Sequence, residues 1–180
     1  NLLEIFIKVD NSKGLFLKLT KTLEKSGLEI IDANIFTSTD DKLAANTFIT
    51  KFSHHDRALN QSELKELSIR ITKNFNNYDV FSDNIKNAKK KIKFQNKLNI
   101  TNTHNSNKER NLITIETSDR PGLLSDIAKV FYDNNLSIFS ARINTLGDKV
   151  EDTFELENLN KSLIPNKKMK EIIASLKKVV

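Results

Sequence analysis

The chain has 180 residues, a formal charge of +6, a pI near 9.4, 38% hydrophobic residues and no cysteine. That length suits one large or two small domains, and the cysteine count excludes disulfides and thiolate chemistry and suits a reducing cytoplasm. No apolar run approaches the ~20 residues of a membrane span, and a basic balance of this kind bears on solubility and weak polyanion attraction rather than on fold.

In chain order, Leu3, Ile5, Ile7 and Val9 share one face of a first strand. The chain opens directly on that strand with no initiator Met and no signal peptide, which reads as a piece cut from something longer. Asn11-Ser12-Lys13-Gly14 is a turn, and Leu15–Ser26 a helix stopped by Gly27 at its C′ position. Leu28–Thr39 and Leu43–Phe52 form a hairpin, followed by the polar loop Ser53–Asn60. Asn60-Gln61-Ser62-Glu63 fits a capping box and opens an amphipathic helix through Leu64, Leu67, Ile71 and Phe75. Tyr78–Asn96 is a second helical or irregular stretch. Lys97–Thr101 is expected to be the fourth strand of the first domain, and Asn102–Glu109 the polar connection.

A second unit starts at Arg110 with a strand ending at Thr117. Its turn is Asp119-Arg120-Pro121-Gly122, where Pro121 pre-sets φ for the first helical turn and Gly122 removes a Cβ. Leu123, Leu124, Ile127, Ala128 and Phe131 then form one apolar helical stripe that ends at Asn134-Asn135. Leu136–Ile143 is a strand with Phe139, Ala141 and Ile143 on one face and Leu136 and Ile138 on the other, as for a sheet covered on both sides. Gly147-Asp148 turns into Val150–Leu156, and Asn166 is expected to cap a last helix, Lys167–Val180. No residues remain there for a fourth strand.

The two units are one sequence repeated. Sliding the chain by 108 residues aligns Ile5, Ile7, Gly14, Leu15, Leu19, Ala33 and Ile35 with Ile113, Ile115, Gly122, Leu123, Ile127, Ala141 and Ile143. After the hairpin the offset becomes 106 and matches Thr47-Phe48 to Thr153-Phe154. The organisation expected is a first domain over residues 1–103, with a helical and basic insertion near 78–97, and a second over residues 108–180. Each is small enough that its sheet surface or second-strand edge should pack on its partner.

The β-α-β-β order with Asp119–Leu124 at the first turn resembles the ACT domain, a ferredoxin-like βαββαβ module that binds amino acids in regulated enzymes. Ala141–Phe154 and Ile31–Ile35 with Thr37-Ser38 are similar, more particularly, to the carboxyl-terminal tandem ACT region of bifunctional uridylyltransferase/uridylyl-removing enzymes. The fold class is therefore α+β: two ferredoxin-like ACT domains, antiparallel sheets with helices on one face. The resemblance implies a regulatory, glutamine-sensing role in controlling uridylylation of the nitrogen regulatory protein PII by attached catalytic domains, in the cytoplasm. It also implies that this stretch is not itself an enzyme. No cofactor is expected in it, magnesium belonging with the absent catalytic domains. Two other readings stay open: an ACT pair from another amino-acid-regulated enzyme, and a ligand-free dimerisation module.

An amino acid carries a carboxylate and an ammonium on one carbon. A helix N-terminus offers N–H donors and partial positive charge for the first, and a short acceptor at the turn suits the second. The candidate binding residues are Asp119, Arg120, Pro121, Gly122, Leu123 and Leu124 at the second turn, and Asn11, Gly14 and Leu15 at the first, which lacks the Pro. The resemblance implies that the start of the second strand in the paired unit completes the pocket: Ser137 and Ser140, or Glu29 and Asp32. The same turns also make sound helix starts without a ligand.

Other motifs carry less. The lysines of Lys86–Lys97 come with a single aromatic and no Arg, which suits a solvated face better than nucleic-acid binding. His54-His55 with Asp56, and His104 far off, lack a third ligand at usable spacing, so no metal site is expected. Catalytic triads, phosphate-binding loops and dinucleotide fingerprints are absent.

Overall fold

The computed structural model describes residues 2–52, 57–79, 98–105 and 110–180. Its elements are β1 (Leu2–Asp10), α1 (Leu15–Lys25), β2 (Leu28–Thr37), β3 (Leu43–Phe52), α2 (Gln61–Asn77), β4 (Asn99–Asn105), β5 (Arg110–Ser118), α3 (Leu123–Asp133), β6 (Leu136–Leu146), β7 (Lys149–Asn158) and α4 (Asn166–Val179). The seven strands form one antiparallel sheet in the order β1-β3-β2-β6-β7-β5-β4. The fold is α+β, two ferredoxin-like units fused edge to edge. The basic stretch Lys86–Lys97, His54, His55 and Asp56 lie outside the described residues.

The repeat is visible in single hydrogen bonds. Asn11 N–H donates to the Lys42 carbonyl and Asp119 N–H to that of Asp148, each at 2.8 Å. Leu15 N–H donates to Ser12 at 3.0 Å, and Leu123 N–H to Arg120 at 3.1 Å. Gly14 and Gly122 are the residues before each helix, with φ of 79° and 80°. α1 thus starts at Leu15, as expected, whereas α3 starts at Leu123, two residues after Pro121. Pro121 lies in the turn itself, and the glycine is needed for left-handed backbone as much as for space. At the other end, Gly27 and Asn135 again match, with φ of 80° and 57°, the left-handed stop that favours Gly and then Asn.

The units meet through β2 and β6, paired from Asp32↔Asn144 to Phe36↔Ser140. The core runs across this seam. Phe16 of α1 sits edge-on to Phe154 of β7 at 6.1 Å between centroids, and Phe131 of α3 lies 5.0 Å from the same ring. Phe48 and Phe154, matched by the repeat, are both wholly buried. Asn60 caps α2 as expected, accepting from Glu63 N–H while the Glu63 carboxylate accepts from Asn60 N–H.

Three expectations change. The strand expected to complete the first unit is β4, and it pairs with β5, supplying the fourth strand that the second unit lacked and leaving β1 at the sheet edge. A bulge between Ile138 and Ser140, repeated between Ile30 and Asp32, shifts the side-chain alternation by one residue. Leu136, Ala141 and Ile143 are all buried in the one core under the helices, so β6 is covered on one side, not two. At α4, Pro165 holds the cap position with extended backbone and Asn166 is the first helical residue, with no side-chain cap bond.

Candidate functional site

A cavity of about 260 Å³ lies over the seam between the two units. Its floor comes from Ile35 and Thr37 of β2 and Ala44 and Asn46 of β3, and its near wall from Asn11–Leu17, the turn and first turn of α1. The far wall is the other unit: Tyr132 of α3, Leu136–Ile138 at the start of β6, and the segment from Glu157 to Lys161. The first turn of a helix has N–H groups without intrahelical acceptors, so this wall favours an anion. The remaining polar groups are mostly neutral. Asn11 Nδ2 donates to the Asp41 carbonyl at 3.2 Å, Asn46 Nδ2 to the Ile7 carbonyl at 3.4 Å, and Thr37 Oγ1 to the Ile138 carbonyl at 3.4 Å. Lys13 Nζ donates to Asn135 Oδ1 at 2.6 Å and stands 5.3 Å from the Tyr132 ring centre, and Lys161 pairs with Asp41 at 2.8 Å, so the rim is tied across the seam.

Among the sequence-derived candidates, Asn11, Gly14, Leu15 and Ser137 come together in this cavity. Ser140 does not. The bulge turns it to the other side of β6, where its hydroxyl donates to Glu155 Oε2 at 2.9 Å. Thr37, Asn46 and Tyr132 were missed as lining residues. Asn46 had a usable signal, a polar residue on the inward face of a strand and matched by the repeat to Asp152.

The second turn occupies the equivalent place in the other unit, with a different charge. Asp119 stands where the first unit has Asn11, Asp152 for Asn46, Glu24 for Tyr132 and Glu29 for Ser137. Asp152 is 1% exposed, and Asn144 N–H donates to its carboxylate at 3.4 Å. Burial pushes its carboxyl up to about 7, and the Asp119 charge adds to the rise. Burial also raises Asp119, with Glu29 adding, while Arg120 N–H and the cations of Lys51 and Arg120 oppose. A Cβ on Gly122 would lie 3.0 Å from Glu24 Oε1, so the other unit's carboxylate already fills the approach to this glycine. Arg120 is committed as well: it pairs with Asp126 at 2.6 Å and donates to the carbonyls of Pro121, at 3.2 Å, and Val179. Leu123 is buried in the core, Leu124 half-buried and Pro121 exposed.

Among the described residues no group of three or more His, Asp or Glu is placed to hold a metal, and no helix is long and apolar enough to cross a membrane.

Residues 111–163 match the ACT domain family. That stretch lies within the second unit. The first unit repeats its strand order and its turn hydrogen bonds. The chain is also similar to bifunctional uridylyltransferase/uridylyl-removing enzymes: 26% identical to that of Psychrobacter sp. (strain PRwf-1) over 96% of this chain. The enzyme of Haemophilus influenzae (strain PittEE) is 27% identical over 86% of the chain, and that of Burkholderia mallei (strain SAVP1) 24% over 86%. The chain spans about a fifth of the length of these relatives, 18–19%. The cavity lies between the first turn of one unit and the start of the second strand of the other.

Proposed function

We propose that this chain is the amino-acid-sensing regulatory region of a bifunctional uridylyltransferase/uridylyl-removing enzyme, with glutamine as its ligand. The observation that carries the reading is the cavity between the first turn and the start of β6, walled by both units, so that a ligand there touches each of them. Its volume falls below the roughly 300–1,000 Å³ of pockets for drug-sized molecules and suits a small one. The N-terminal turn of α1 offers a place for a carboxylate, and Asn11, Asn46, Thr37 and Ser137 offer neutral partners for a side-chain amide.

In this reading glutamine favours one arrangement of the two ACT units over another, with a coupling of about 1–3 kcal/mol as in allosteric systems generally. The attached catalytic domains are thereby biased between adding UMP to PII and removing it. The region performs no chemistry itself, magnesium belongs with the catalytic domains, and the setting is the cytoplasm.

Calorimetry of the chain against glutamine, glutamate and several hydrophobic amino acids tests the assignment. Saturable binding of glutamine, weaker for glutamate, is expected. Binding of a different amino acid instead would move the module to another regulated enzyme, and no binding by any would leave a ligand-free pairing module.

A further inference from the structure

Among the described residues β1 is a nine-residue edge strand, paired to β3 on one side from Leu2↔Lys51 to Asp10↔Leu43 with no bulge. Its repeat counterpart β5 is an inner strand, covered by β4. The difference shows in burial. Ile113, Ile115 and Thr117 of β5 are buried, whereas Ile5, Ile7 and Val9 of β1 are only half-buried. On the opposite face Leu2 and Phe6 are each 64% exposed. β1 contains neither proline nor glycine, and its charges, Glu4, Lys8 and Asp10, all lie on the exposed face. Exposed edges of this length are usually blunted by bulges, prolines or inward-pointing charges, and β1 has none of these.

We propose that β1 is the interface of a homodimer, pairing antiparallel with β1 of a second copy about a two-fold axis at Phe6. The sequence Leu2-Leu3-Glu4-Ile5-Phe6-Ile7-Lys8-Val9-Asp10 complements itself in that register. Phe6 meets Phe6, Ile5 meets Ile7, Leu3 meets Val9, and Glu4 meets Lys8 twice, and only the terminal pairs, Leu2 opposite Asp10, do not match. A two-residue slip one way sets Glu4 opposite Asp10, like against like, and the other way sets Glu4 opposite Phe6 and Lys8 opposite Leu2. Of these three registers only the centred one sets Glu4 opposite Lys8, with the inner residues Leu3, Ile5, Phe6, Ile7 and Val9 all apolar against apolar, the combination that stabilises cross-strand pairs. A two-fold contact requires one patch that complements itself, and this strand is such a patch. Glu4 and Lys8 are exposed, and neither takes part in a salt bridge among the described residues, so both are available to the second copy.

Sedimentation of the whole chain over a concentration series tests the interface by charge exchange. The native chain should show a monomer–dimer equilibrium. Glu4→Lys and Lys8→Glu should each weaken it about tenfold or more, since each sets two like-charged pairs directly opposite. The double variant Glu4→Lys/Lys8→Glu should restore it. All four proteins should melt alike when dilute, because both side chains are exposed, so lost association is not lost folding. Association indifferent to the single exchanges, or not restored by the double, overturns the proposal. A chain monomeric at every concentration also overturns it and leaves the edge to a strand from outside these residues.

Discussion

Asn11 and Asp119 hold the same position in two repeats, each donating its backbone N–H to a hairpin carbonyl at 2.8 Å, yet one side chain is a neutral amide and the other a carboxylate. The substitution is not isolated. The buried strand residue beyond each turn changes in the same sense, from Asn46 to Asp152. Two turns built alike thus present different chemistry: one beside an open cavity, the other among carboxylates and closed over by Glu24.

If the first turn is the binding turn, the two positions should respond differently. Asn11→Ala removes an amide that borders the cavity and its bond to the Asp41 carbonyl. A lost hydrogen bond contributes about 1 kcal/mol, and 1.4 kcal/mol is tenfold in affinity. Glutamine binding by calorimetry should therefore weaken roughly five- to tenfold in Asn11→Ala and much less in Asp119→Asn. Equal losses would place ligand at both turns, and a loss confined to Asp119→Asn would reverse the assignment.

Asp152 gives stability a pH dependence of known sign. Its carboxyl stands near 7 when folded against 3.8 for the ordinary group, so the folded state holds the proton more tightly. The stability this contributes is fully present below about 4 and is lost as pH rises through about 7. Asp152→Asn, which installs the amide that the first unit has at Asn46, removes that slope. Chemical denaturation from pH 4.5 to 8.5 should show the variant gaining on the native chain as pH rises. Parallel curves would mean that Asp152 is solvated or paired when charged.

Gly122 is constrained twice, by a φ of 80° and by Glu24 at 3.0 Å from where a Cβ would stand. Gly122→Ala should cost about 1–2 kcal/mol from left-handed backbone alone. Glu24 is the flexible end of a partly exposed side chain, so combining Glu24→Ala with Gly122→Ala should recover only a small part. A full recovery in thermal denaturation would show that crowding, not backbone strain, demands glycine here.

The sequence revealed what is local or periodic. The offset of 108, the turn glycines, the stop at Gly27 and the capping box at Asn60 each follow from a residue type at a fixed spacing, and all stand in the fold. The destination of β4 did not, because its polar alternation fits the free edge of β1 as well as that of β5, and pairing is settled by long-range geometry. The bulges at Ile30/Asp32 and Ile138/Ser140 escaped a strict two-residue alternation, and with them the outward turn of Ser140. The cavity itself depends on which strand start meets which turn across the seam. Asp119–Leu124 is the stronger motif in sequence, yet Glu24 and Arg120 fill that turn in three dimensions.

The chain contains four glycines, and two of them, Gly14 and Gly122, stand one at each turn. Labelling glycine alone with nitrogen-15 therefore yields four amide signals, with one reporter at each candidate site. On titration with glutamine, Gly14 should shift to saturation while Gly122 moves little. A shift at Gly122 with Gly14 unmoved, or no shift at either, would contradict the account.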